Sequence, residues 1–248
     1  MEIIDIPERT QAKSLKKNYF NAKVDSDWLS DYKHHIVENL RTWILNDQYP
    51  CIGAQTAVNA KTISFGFFNN MNAESTPENL CDGLYQYIED MKERPGSFLT
   101  YIAVFEEDRF SNEENFENAL WELLHRMHCV DKLQYDWNEN VSNHTENSQF
   151  SFSIGGEAFF LVGMHPKSSR KARKFNYPAI AFNLHSQFEY LREKGRYDRI
   201  QKVVRQRELN YQGTINPMLA DYGEGLEAPQ YSGRKVGKNW KCPYAFNK

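Results

Sequence analysis

Residues 150–164 read FSFSIGGEAFFLVGM, and this stretch decides the fold class. Phe150 to Ile154 alternates apolar and polar, Ala158 to Met164 is a strongly apolar run, and Gly155-Gly156 stands between them. Two adjacent glycines suit a tight connection that needs positive φ, so the segment reads as a β-hairpin. A hairpin makes its two strands antiparallel neighbours. Working outward, a short basic helix is expected from about Ser168 and a strand at Ala179–Phe182. Helical segments follow at about Ser186–Glu193 and Arg196–Glu208. Upstream, Ser26 or Asp27 is placed to cap a helix running to about Asn46, and Asn59 to Phe68 alternates loosely as a strand. Thr76-Pro77 opens a helix to about Arg94, with Pro77 in the first turn. Pro95-Gly96 ends it, and Phe98 to Phe105 reads as a buried strand. From about Asn112 to Cys129, Phe116, Ala119, Leu120, Leu123, Leu124 and Met127 recur at helical spacing. Helices and strands interleave around at least one hairpin. The expected fold is α+β: a mostly antiparallel sheet with flanking helices and a long irregular C-terminal segment. With no repeat or Pro/Gly linker, residues 1–248 read as a single domain.

Hydrophobic residues make up 40% of the 248 and charged residues 25%, enough apolar material for a core and unlike a disordered chain. Four cysteines (Cys51, Cys81, Cys129 and Cys242) are widely spaced and read as thiols, not a disulfide frame. Neither a signal peptide nor a membrane span is legible, so the expectation is a cytoplasmic protein. The net charge of −3 hides an asymmetry. Residues 71–162 carry 18 acidic and 5 basic side chains, whereas residues 163–248 carry 17 basic and 7 acidic. Such thirds either pack on each other or leave a basic face for an anionic ligand.

Three local patterns carry chemistry. In Tyr49-Pro50-Cys51, small residues (Gly53, Ala54, Ala57) leave the sulfur little covered. A thiolate there can ligate a metal; a buried small hydrophobe is the plainer reading. In Gly163-Met164-His165-Pro166, the histidine stands where a strand ends, and Ser168, Ser169, Arg170 and Arg173 follow at once. Hydroxyls, helix N–H groups and guanidinium groups together suit an anion, and a solvated basic helix is the alternative. In the tail, Glu224 and Glu227 lie between glycines and close to Asp221. Carboxylates there match a guanidinium by paired hydrogen bonds, or simply neutralise a basic surface.

Tyr49-Pro50-Cys51 and Cys242-Pro243-Tyr244 resemble the two signatures of the YqcI/YcgG family, the FPC- and CPF-motif proteins, with Tyr standing for Phe in both. FFLVGMHPKSSRKARKF (159–175), NLHSQFEYLR (183–192), the stretch from Asn216 to Glu227 and QYSGR (230–234) follow the family pattern too. The resemblance spans about residues 26–245. It implies a heme-dependent N-hydroxylase acting on a guanidine or amine nitrogen of arginine or a related amino acid, in a natural-product pathway. The cofactor implied is non-covalent heme b, with Cys51 as proximal ligand from its place in the motif and His165 as runner-up. Ser168, Ser169, Arg170 and Arg173 are then expected at the propionates, and Glu224 and Glu227 at the cationic substrate. Dioxygen or peroxide and an electron-donor protein are implied partners; nucleic acid and membrane are not. No residue is singled out as catalytic. The alternative function is a non-catalytic heme sensor or carrier.

Overall fold

The computed structural model describes residues 19–21, 29–94 and 98–246. In chain order the elements are β1 (Phe20–Asn21), α1 (Asp31–Ile44), α2 (Ile52–Ala60), β2 (Ile63–Phe68), α3 (Thr76–Glu93) and β3 (Thr100–Phe105). Then come α4 (Glu113–Asp131), β4 (Phe152–Ile154), β5 (Glu157–Met164), β6 (Ala179–Leu184), α5 (His185–Glu193) and α6 (Tyr197–Gln212). The six strands form one sheet in the order β1-β2-β3-β6-β5-β4. Only β2 and β3 are parallel, joined across α3; every other neighbouring pair is antiparallel. The fold is α+β with a mostly antiparallel sheet.

The hairpin forms where the sequence places it, with Phe152 opposite Phe159. Gly155 and Gly156 both take positive φ (61° and 74°), as a two-residue turn between twisted strands requires. Period-two alternation sorts the central strands onto two cores. Tyr101, Phe105, Phe159, Leu161, Ile180 and Phe182 face α3, α4 and the tail. Ile102, Val104, Met164, Ala179 and Ala181 face α1 and α2. Both faces of the central strands are covered, which explains their near-continuous apolar runs.

Three expectations are corrected. Asn59 and Ala60 close helix α2, which the sequence reading missed, and the strand starts only at Ile63. The basic helix from Ser168 shrinks to a single 3₁₀ turn, Lys171–Arg173. Helix α1 begins at Asp31, capped by Ser30, whose Oγ accepts from the Lys33 N–H at 3.5 Å; the expected caps Ser26 and Asp27, like Pro95-Gly96, lie outside the described residues.

The tail is irregular but bound. Its 3₁₀ turn Ala228–Gln230 leads into Tyr231, whose carbonyl accepts from the Gly163 N–H at 2.7 Å. A Cβ on Gly163 would come within 2.7 Å of the Phe116 ring and 2.8 Å of that carbonyl, so the close approach requires glycine. Further on, Phe246 packs among Trp121, Trp137, Phe150 and Phe152. The acidic and basic thirds do meet here: Arg234 binds Glu117 and Ser169 binds Glu113.

Candidate functional site

The antiparallel pair β5–β6 carries a histidine at each end. His165 follows Met164, which pairs with Ala179; His185 follows Leu184, which pairs with Phe159. By the strand rise, the two ends are roughly 15–20 Å apart.

At the first end, the His165 loop closes on itself. The His165 N–H donates to Arg173 O at 2.9 Å and the Ser168 N–H to His165 O at 3.1 Å. The imidazole is fully buried and stacks on Phe116 with centroids 4.3 Å apart. Neither ring nitrogen has a hydrogen-bond partner. Burial drives its pKa down to about 4, with Glu113 opposing and Arg173 reinforcing the shift, so the ring is neutral at neutral pH.

The four residues expected to hold an anion surround this loop but are engaged by protein groups. Ser168 Oγ accepts from the Arg170 N–H. Ser169 donates its N–H and its hydroxyl to Glu113 Oε1, both at 2.8 Å. Arg170 reaches Glu208 at 2.6 Å and Thr214 at 2.7 and 2.9 Å. Arg173, whose pKa burial lowers to about 10, donates to Tyr231 O at 2.9 Å. With only a 3₁₀ turn here, no run of free helix N–H groups is offered.

Cys51 caps α2, its Sγ accepting from the Ala54 N–H at 3.4 Å. Burial pushes the thiol pKa up, against the Ala54 and Gly53 N–H groups and Arg207, which pull it down. Its segment does reach the His165 loop, since the Tyr49 hydroxyl donates to Ala172 O at 3.2 Å. The two motif cysteines lie on opposite faces of the sheet: Cys51 packs with the α1–α2 core and Cys242 with the α3–α4 core.

The other end holds what the sequence reading missed. His185 Nε2 lies 3.0 Å from Glu227 Oε2. Glu227 is 4% exposed, and its Oε1 takes the Tyr231 hydroxyl at 2.6 Å and the Ser151 hydroxyl at 2.9 Å. Tyr231 keeps its proton, because burial and the neighbouring Glu227 hold its pKa far above the usual phenol value. Tyr222 meets the His185 ring edge-on at 4.7 Å. Glu224 is exposed, so the structure does not present Glu224 and Glu227 as two arms of one clamp. The strand-end position that drew attention to His165 belongs equally to His185. Its pairing with Glu227, 42 residues away, arises only on folding.

No three His, Cys, Asp or Glu side chains among the described residues come together in a way that could hold a metal ion. No helix among them is long and apolar enough to cross a membrane.

The sequence is similar to the "Uncharacterized protein YqcI" of Bacillus subtilis (strain 168), 26% identical over 194 residues that cover 75% of each chain. It is similar as well to the "Putative N(omega)-hydroxy-L-arginine synthase DcsA" of Streptomyces lavendulae. That match is 24% identical over 236 residues, 89% of this chain and 86% of the other. No solved structure matches the chain significantly. The model of the YqcI/YcgG family matches residues 40–245, nearly all of the sheet, its helices and the bound tail, and the chain belongs to that family.

Proposed function

We propose that this protein hydroxylates a guanidine or amine nitrogen of arginine or a related amino acid, with non-covalent heme b as cofactor. The similarity to a protein named for N(omega)-hydroxy-L-arginine synthesis, over 89% of the chain, supports the substrate class. The observation that carries the cofactor is the way the donors stand. Cys51, His165 and His185 are single donors at separate positions, His165 with both nitrogens unpartnered and His185 backed by a carboxylate. A metal held through one protein donor brings its remaining ligands with it, as iron does in a porphyrin. The chain fits heme on this donor side. On the propionate side, Ser169, Arg170 and Arg173 hold protein partners that a propionate would have to displace.

When bound, heme iron supplies the activation of dioxygen or peroxide that inserts oxygen into an N–H bond, with an electron-donor protein where dioxygen is used. The chain itself would contribute an imidazole to iron, apolar rings against the porphyrin, and a carboxylate on the tail loop for a cationic substrate. Expression with heme supplementation tests the reading. A Soret band, its perturbation by arginine, and a product heavier than arginine by one oxygen atom are expected. A Soret band that arginine leaves unmoved, with no product, makes the protein a heme sensor or carrier. Colourless protein after heme addition overturns the reading.

A further inference from the structure

We propose that His185, oriented by Glu227, is the axial ligand to heme iron, in place of Cys51 or His165; this rests on the heme reading above. A histidine that ligates a metal through one ring nitrogen commonly donates its other N–H to a carboxylate, which fixes the tautomer and raises the donor strength of the imidazole. His185 has that arrangement before any metal arrives. Its Nε2 faces Glu227 at 3.0 Å; in the tautomer that donates to this carboxylate, Nδ1 offers its lone pair. Nδ1 has no hydrogen-bond partner among the described residues, and it is not one of the sealed polar atoms.

Glu227 is itself fixed from behind. The Tyr231 hydroxyl donates to Oε1 at 2.6 Å, and the Ser151 hydroxyl, shared with the Phe159 carbonyl, stands 2.9 Å from the same oxygen, so Oε2 is the oxygen left for the imidazole. This is the support that a ligand requires and that neither competitor has. The ring of His165 has no orienting partner on either nitrogen, and Phe116 covers one of its faces. The sulfur of Cys51 is engaged as a helix cap, and its burial favours the thiol over the thiolate that iron takes.

The surroundings of His185 suit a flat apolar ring. Tyr222 stands edge-on to the imidazole, and Phe188 packs on Phe160 beside it. Leu226, next to Glu227 in the chain, is 37% exposed. A carboxylate-backed imidazole would push electron density toward a bound heme iron and lower its reduction potential.

The test is hemin titration of the full-length protein, followed by the Soret band and by the iron–histidine stretch of the ferrous form. Wild type should show that stretch. His185→Gly should lose it and bind heme at least about 10-fold more weakly, and free imidazole should restore a histidine-like spectrum. Glu227→Gln should keep a histidine-ligated heme while lowering the stretching frequency and costing about 10–100-fold in affinity. Cys51→Ser and His165→Gln should retain the wild-type spectrum. Unchanged affinity and stretch in His185→Gly overturn the assignment, as does loss of the signal in Cys51→Ser or His165→Gln. If His185→Gly does not fold, Glu227→Gln decides: a loaded variant whose stretch matches wild type overturns the proposal. Wild type that takes up no hemin overturns the heme reading and this assignment together, whereas failure of the assignment alone leaves wild type red.

Discussion

Arg234 closes the tail onto α4 by donating to both the buried carboxylate of Glu117 and, through its backbone N–H, to Ser232, which itself donates to Glu117 at 3.0 Å. Glu117 is 2% exposed, and its two carboxylate oxygens are held by these two tail residues. The strap therefore links the acidic middle of the chain to its basic end at one buried point. Removing one partner of such a pair leaves a charge in a place that cannot solvate it. Arg234→Ala should cost about 2–3 kcal/mol in denaturant unfolding, and Glu117→Gln in the same background should recover part of that loss.

A second pin holds the tail under β5. The Tyr231 carbonyl accepts from both the Gly163 N–H and the Arg173 guanidinium. Gly163→Ala inserts a methyl where the Phe116 ring and that carbonyl already stand within 2.8 Å. Overpacking of this kind should lower stability by about 1–3 kcal/mol and increase protease cleavage after the tail is loosened. Wild-type stability in Gly163→Ala would show that the tail moves aside freely.

How much of this was legible differs by the range of the interaction. The hairpin, α3 and α4 could be read because glycine pairs, Pro77 and a 3.6-residue stripe are local signals. Helix α2 could not, since its Ile-Gly-Ala-Gln-Thr-Ala-Val-Asn-Ala run has little amphipathic contrast and is capped by a cysteine, an uncommon cap. The helix expected from Ser168 fails because side chains compete for its backbone: the Arg170 N–H goes to Ser168 and the Lys171 N–H to Gln212. The protein partners of Arg170 and Arg173, Glu208 and Tyr231, lie 38 and 58 residues further along the chain and could not be read from the local pattern. Glu227 was legible as a carboxylate of interest, but its burial against His185, Ser151 and Tyr231 depends on the tail crossing the sheet.

The buried imidazole of His165 makes stability depend on pH. Its folded pKa, about 4, lies below the ordinary 6.5, so the unfolded chain binds the proton more readily. The stabilisation is complete above about pH 6.5 and is lost as pH falls toward 4. Between pH 7 and pH 4, wild type should lose on the order of 2–3 kcal/mol more than His165→Phe, measured by denaturant unfolding at each pH. Parallel losses in the two proteins would place the titration elsewhere.

Cys51 offers a sharp contrast between capping and ligation. Serine is a better N-cap than cysteine and keeps an acceptor for the Ala54 N–H, now 3.4 Å from the sulfur. Cys51→Ser should be as stable as wild type or up to about 1 kcal/mol more stable, with an unaltered heme spectrum. A thiolate-type spectrum in wild type that vanishes in Cys51→Ser would return the ligand role to the sulfur.

Glu224 and Glu227 should separate cleanly, because the structure gives one a solvent position and the other a sealed one. The loop that bears Glu224 also bears Tyr222, which touches His185, so Glu224 hangs from the segment bordering the proposed iron ligand. An arginine-like substrate brings a guanidinium that a free carboxylate binds through paired hydrogen bonds, and Glu224 has no other side-chain partner among the described residues to surrender. Glu224→Gln should therefore leave stability within about 0.5 kcal/mol of wild type and leave heme content unchanged. It should raise the KM for arginine several-fold, with kcat little altered, since a bond made equally in ground and transition states affects binding alone. Glu227→Gln should do the reverse. It removes the charge that Tyr231, Ser151 and His185 all address, so stability and the heme spectrum change before any effect on substrate affinity is resolved. Matching KM increases with normal heme in both variants would show that the two carboxylates do act on the substrate together, which would require Glu227 to leave its buried partners when arginine binds.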